Sequence, residues 1–119
     1  MALNNALIID DEADIGLLLA NYLRKKVRSV NVSTSLTSGL IKFKQTEPDL
    51  VILDNTLPDG NGIEKISEFR KKNRPICIII ISAMSHLKKK ALESGADYFI
   101  EKPISFSKLN DILTTQNNS

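Results

Sequence analysis

The chain has 119 residues, enough for one domain with a buried core and too few for two. A hydrophobic fraction of 42% and a charged fraction of 25% exclude a disordered, collagen-like or disulfide-stapled chain. The 16 basic and 14 acidic residues leave a net charge of +2, far below the basic surplus that direct nucleic-acid binding calls for.

Short apolar runs alternate with amphipathic segments along the sequence. Residues 6–9 form the first run. A helical pattern follows, with Ile15, Leu18, Leu19, Tyr22 and Leu23 on one face. Residues 30–33, which include Asn31, read as an edge strand, and Leu36, Leu40 and Phe43 mark a second helix. Residues 50–53 and 76–81 are continuous apolar runs bounded by breakers, so they read as strands buried on both faces. Between them Ile63, Ile66 and Phe69 mark a third helix. A weaker fourth helix carries Leu87, Ala91 and Leu92. Residues 98–100 form the last strand, and Phe106, Leu109, Ile112 and Leu113 mark the last helix. Residues 116–119 read as a frayed tail.

Proline placement agrees with this division. Pro48 and Pro75 stand just before strands, where a helix must already have stopped, and Pro58 and Pro103 stand just after them. Gly95 sits where a helix C-terminal cap belongs. Gly16 and Gly39 lie inside helical patterns, at a cost of about 1 kcal/mol each relative to alanine. The single cysteine, Cys77, makes no internal disulfide and fits a reducing cytosol. No run approaches the roughly 20 apolar residues of a membrane span, and the N-terminus lacks the basic region of a secretory signal.

Five strand–helix repeats predict one α/β domain over residues 1–119, a doubly wound five-stranded parallel sheet with right-handed crossovers. Ligands on such sheets bind beyond the carboxyl ends of the strands. Those ends hold Asp10, Asp11 and Glu12 after the first strand, Asp54, Asn55 and Thr56 after the third, Ser82 after the fourth and Lys102 after the fifth. If strands one and three are neighbours, Asp10, Asp11 and Asp54 converge. Three crowded carboxylates require a raised pKa or a neutralising cation. An all-oxygen donor set, with His86 and Cys77 isolated, favours a hard ion such as magnesium over zinc.

Plainer roles exist for each residue. Asp10–Glu12 could cap the first helix. Asp54 could form a turn, Lys102 a simple ion pair and Ser82 a helix cap, in competition with Ser85. The Lys102–Pro103 bond could be cis, which would aim the lysine inward.

With those residues in register, the chain resembles the receiver domain of two-component response regulators. Asp10 and Asp11 match the acidic pair, Asp54 the phospho-acceptor, Ser82 the Ser/Thr switch and Lys102-Pro103 the Lys-Pro signature. The stretch from Pro58 to Gly62 is similar to the loop after the acceptor, and Phe99 falls on the aromatic switch position. The resemblance implies a flavodoxin-like (βα)5 fold with strand order 2-1-3-4-5. It implies a cytoplasmic phosphoprotein that takes a phosphoryl group on Asp54 from a histidine kinase or phosphotransfer protein. It would act as an enzyme only in its own phosphorylation and dephosphorylation.

It further implies Mg2+ held by Asp11, Asp54 and the backbone carbonyl of Thr56, with Asp10 acting through water. Lys102 and, after phosphorylation, Ser82 would bind phosphoryl oxygens. The face of helix four, strand five and helix five would then change shape for a downstream protein or a homodimer. Phe99 lacks the hydroxyl of the tyrosine often found there, which leaves its switching open. Lys88-Lys89-Lys90 on that face could dock an acidic partner or be a solvated helix surface.

Three other readings are open to test. A receiver-like module working without phosphorylation would not need the acids and the lysine. An FMN protein of the same topology needs a Ser/Thr/Gly-rich phosphate loop where Asp10-Asp11-Glu12 stand. An aspartate-dependent phosphatase places its nucleophile after the first strand and carries a cap domain. No residues remain for an output domain, so the protein acts alone or was cut from a longer chain.

Overall fold

The computed structural model describes residues 2–118. Five strands, β1 (Asn5–Ile9), β2 (Ser29–Ser33), β3 (Leu50–Asp54), β4 (Cys77–Ser82) and β5 (Tyr98–Glu101), alternate with helices. These are α1 (Ala13–Leu23), α2 (Leu36–Thr46), α3 (Ile66–Arg70, entered through a 3-10 turn, Ile63–Lys65), α4 (Lys88–Glu93, entered through Ser85–Leu87) and α5 (Phe106–Asn117). The sheet is parallel in every pairing, in the order β2-β1-β3-β4-β5, which is the expected doubly wound arrangement. β2, with its partly polar sequence, is an edge strand as expected.

The continuous apolar strands are explained by their two faces. Alternate residues of β1, β3 and β4 enter opposite cores, as side chains on a strand must. Ala6, Ile8, Leu50, Ile52, Ile79 and Ile81 pack with Leu19 and Leu23 of α1 and Leu109 and Leu113 of α5. Leu7, Ile9, Val51, Leu53, Ile78 and Ile80 pack with Phe43 of α2, Phe69 of α3 and Ala91 of α4. Strands covered on both sides leave only their ends free for chemistry.

Gly39 explains one costly glycine. A Cβ there would lie 2.5 Å from the Ile9 side chain, so α2 can rest on β1 only without one. Gly95 follows α4 with φ 111°, as a C-terminal glycine should.

Two sequence expectations change. Leu18 is exposed rather than on the packed face, because Leu19, Ala20 and Leu23 turn to the sheet; Tyr22 meets Phe106 in a tilted contact with ring centroids 5.0 Å apart. The expected tail is helical through Asn117, whose side chain accepts a hydrogen bond from the Leu3 N–H; Gln116 donates to the Tyr98 hydroxyl. Ser119 lies outside the described residues. Cys77 is free and buried, and burial pushes its thiol up to about 12. Among the described residues, no helix is long and apolar enough to cross a membrane.

Candidate functional site: an acidic pocket closed by one lysine

β1 and β3 are hydrogen-bonded neighbours, so their carboxyl ends deliver Asp10 and Asp54 to the same place. Both are buried, in a molecule whose other aspartates are not. β5 ends beside β4, and the backbone N–H of Lys102 donates to the Ser82 carbonyl at 2.8 Å. The Lys102–Pro103 peptide is cis, and the lysine turns into the acidic pocket. Its Nζ stands 3.0 Å from Asp54, 2.8 Å from Glu12 and 3.3 Å from Asp10.

Asp54 has its two oxygens held differently. Oδ2 accepts from Lys102, and Oδ1 accepts from the Thr56 N–H at 3.1 Å. The following loop is pinned in turn. Buried Asn55 accepts from the Ile63 N–H through its side chain and from the Gly62 N–H through its carbonyl. A Cβ on Gly62 would lie 2.5 Å from the Asp54 carbonyl oxygen, so only glycine lets this loop close on the end of β3. A short antiparallel pair, Thr56–Leu57 with Gly60–Asn61, shapes the loop around Pro58. Asp59 then ties it to α2 by accepting from the N–H groups of Leu36 and Thr37.

The charges are unbalanced. Burial pushes the Asp10 carboxyl up to about 6; the Glu12 N–H opposes this, the Asp54 charge adds to it, and Lys102 opposes it. Burial pulls the Lys102 ammonium down, but hydrogen bonds to Glu12 and Asp54 and the charges of Asp54 and Asp10 outweigh it and hold its pKa above the usual lysine value. One ammonium thus serves three carboxylates. A cavity of about 370 Å3 opens beside them, lined by Asp11, Glu12, Asp54, Thr56, Ala83 and Lys102.

This pocket fits a hard cation. Carboxylate oxygens of Asp10, Glu12 and Asp54 all lie within 4.8 Å of one another. The buried Oδ2 of Asp10 has an ammonium 3.3 Å away but no hydrogen bond, a polar atom left short of partners. The donors are oxygens throughout, as a magnesium-class ion requires.

The structure places Asp10, Asp54, Thr56 and Lys102 around one pocket. Asp11 lines the cavity but is exposed, and the third member of the close carboxylate group is Glu12. Sequence reasoning placed Glu12 in the acidic run without giving it a site role. It occupies the N-cap position of α1, yet its side chain caps nothing and reaches Lys102 instead. Ser82 is buried at the end of β4, where its Oγ accepts from the Met84 N–H at 3.0 Å. Phe99 is half-buried against the core on the α3–α4 side. Lys88, Lys89 and Lys90 are exposed.

A five-stranded parallel sheet of this order, with an acidic pocket and a lysine at its carboxyl rim, has a counterpart among known proteins. The sequence profile of the response regulator receiver domain matches residues 6–114. The chain therefore belongs to the receiver domain family of two-component response regulators.

The chain is 37% identical over 109 residues to the KDP operon transcriptional regulatory protein KdpE of Escherichia coli K12, covering 90% of this chain and 48% of that protein. It is 34% identical over 110 residues to the chemotaxis protein CheY of Thermotoga maritima, covering 90% of this chain and 92% of that one. The crystal structure of the receiver domain of NtrX from Brucella abortus superposes with a TM-score of 0.84 at 26% identity, over 96% of this chain and 98% of that one. The chain thus spans about half the length of KdpE and of the regulator MalR of Bacillus subtilis, each covered to 48%, and nearly all of CheY.

Proposed function

We propose that Asp54 accepts a phosphoryl group from a histidine kinase or a histidine phosphotransfer protein. The observation that carries this reading is the state of the Asp54 carboxylate. It is buried at a strand end, its oxygens are held by Lys102 and the Thr56 N–H, and it borders an open cavity.

An Asp54 oxygen attacks the phosphorus of a phosphohistidine. The new P–O bond forms as the P–N bond breaks, and the imidazole leaves with the electron pair of that bond. Transfer of this kind depends on positioning and charge neutralisation more than on covalent help from the protein. Thr56 N–H and Lys102 fix the attacking carboxylate, and the lysine ammonium then binds a phosphoryl oxygen. Asp10, Asp11 and Asp54, with the Thr56 carbonyl, are the groups that would hold Mg2+, with Asp10 acting through water. When bound, Mg2+ would offset the charge gathered between the carboxylates and the incoming phosphate. The chain catalyses its own phosphorylation and, with water as nucleophile, its own dephosphorylation.

Ser82 is the sensor of the new charge. Its hydroxyl exchanges its local bond with the Met84 N–H for a phosphoryl oxygen, and α4 follows. Phe99 packs against the core on the α3–α4 side, paired with Ile80 two residues before Ser82, and moves into any volume Ser82 leaves. The readout is the α4–β5–α5 face, for a downstream protein or a second phosphorylated copy, in the cytoplasm.

Intact mass after incubation with acetyl phosphate and Mg2+ tests the acceptor. The wild type gains one phosphate and Asp54→Asn gains none. A gain in both places the acceptor elsewhere.

A further inference from the structure

An ammonium has three protons, and Lys102 donates two of them, to Glu12 at 2.8 Å and to Asp54 at 3.0 Å, with the Asp10 carboxylate a further ion-pair partner at 3.3 Å. A phosphoryl oxygen that binds Lys102 competes with these carboxylates for the ammonium. Asp54 stays beside the ammonium, but once phosphorylated its carboxyl is an acyl phosphate and no longer a charged competitor for it. Asp10 is fully buried, and its other oxygen is fixed by the Glu12 N–H. Glu12 is different. Its side chain is 57% exposed and makes no cap hydrogen bond with α1, so it can turn into water without leaving a buried group unpaired. It also lines the cavity that an incoming phosphoryl group must enter.

We propose that Glu12 is a displaceable gate on Lys102, holding the ammonium while Asp54 is free and competing with the phosphoryl group for it. The proposal rests on Asp54 as the phospho-acceptor. Glu12 acts through the lysine, so it is a positioning residue. Its charge keeps Lys102 in the pocket and slows phosphorylation by anionic donors. An exposed ion pair of this kind biases an equilibrium by about 1.5- to 5-fold.

The test is the rate of phosphorylation by acetyl phosphate with Mg2+, read by intact mass, for the wild type, Glu12→Gln, Glu12→Ala, Glu12→Asp and Asp54→Asn. Thermal melts of each variant confirm folding. At low salt Glu12→Gln and Glu12→Ala are phosphorylated about 2- to 5-fold faster than the wild type. Glu12→Asp, which keeps the charge, stays near the wild-type rate. The difference shrinks as salt is raised, because the competing charge is screened. Because the gate leaves the metal to Asp10, Asp11 and Asp54, the Mg2+ concentration for half-maximal rate is expected to stay at the wild-type value although Glu12 lies within the same carboxylate group.

Equal rates at low salt overturn the gate. So does a slower Glu12→Gln with a raised Mg2+ requirement, which would make Glu12 a metal ligand. In both cases a wild type phosphorylated at Asp54 leaves the acceptor assignment standing. A wild type that gains no phosphate, or an Asp54→Asn that does, removes the acceptor and the gate together.

Discussion

The two rims of the sheet carry similar charges and use them in opposite ways. At the amino-terminal rim, side chains are committed to backbone. Asp49 accepts from the N–H groups of Asn4 and Asn5. Asp97 accepts from the Ile78 N–H and from Arg70, which also donates to the carbonyls of Ile76 and Gly95. Arg74 donates to the Pro48 carbonyl. At the carboxyl rim, Asp10, Glu12 and Asp54 face one another around a single ammonium. The first arrangement ties strand ends and loops in place. The second concentrates like charge and stays open to a ligand. Stability belongs to one rim and chemistry to the other.

The largest test of that contrast is Asp10→Asn. The Asp10 carboxyl is held at about 6 against an ordinary 3.8. The folded state therefore binds this proton more tightly than the unfolded one, and stability falls as pH rises from about 4 to about 6. A shift of that size corresponds to about 3 kcal/mol. Replacing the ionised acid by its neutral isostere raises stability at pH 7 by about 2–3 kcal/mol, and the advantage fades near pH 4. Urea midpoints across pH measure it. Added Mg2+ should raise the wild-type midpoint and move that of Asp10→Asn less. A loss of stability at pH 7 would mean that the attraction of Lys102 outweighs the burial of Asp10, and the carboxyl rim would not be frustrated.

Asp97→Ala tests the other rim with the opposite sign. It strips the Ile78 N–H of its acceptor and Arg70 of a charge partner. The expected loss is about 1–2 kcal/mol in the urea midpoint, with phosphorylation of Asp54 by acetyl phosphate unchanged. A changed rate would show that the two rims are coupled through β4 or β5.

How much of this was legible beforehand follows from what is local. The apolar runs of β1, β3 and β4 were legible as strands because these strands are buried on both faces, and their ends then placed Asp10, Asp54 and Ser82, with Lys102 after the shorter run of β5. Glu12 was not legible as a site residue. An acid at a helix N-terminus satisfies the dipole or an adjacent cation equally well, and that cation is 90 residues away in sequence. Leu18 fits the helical face as well as Leu19 does, and which of them turns outward follows from the packing of Leu19, Ala20 and Leu23 on the sheet. The helical end of α5 is tied down by contacts distant in sequence, from the Leu3 N–H to Asn117 and from Gln116 to the Tyr98 hydroxyl.

Asp59 refines the comparison, and its effect is the smallest of the three. It sits in the loop after β3, at the carboxyl rim, yet it behaves like the acids of the opposite rim. Its carboxylate accepts from the N–H groups of Thr37 and Leu36 and from the Thr37 hydroxyl, and these bonds hold its pKa down at about 2. A depressed carboxyl adds stability above its unfolded value near 4, and that contribution is lost as pH falls toward about 2. Asp59→Ala should therefore lower Tm at pH 7 by less than Asp97→Ala does, and the two proteins should converge as pH drops from 4 to 2. Asp54 phosphorylation should persist, because Asn55 and Gly62 still hold the loop to β3. If Asp59→Ala instead abolishes phosphorylation, the anchor on α2 belongs to the chemistry, and the division between a structural rim and a reactive one fails at this loop.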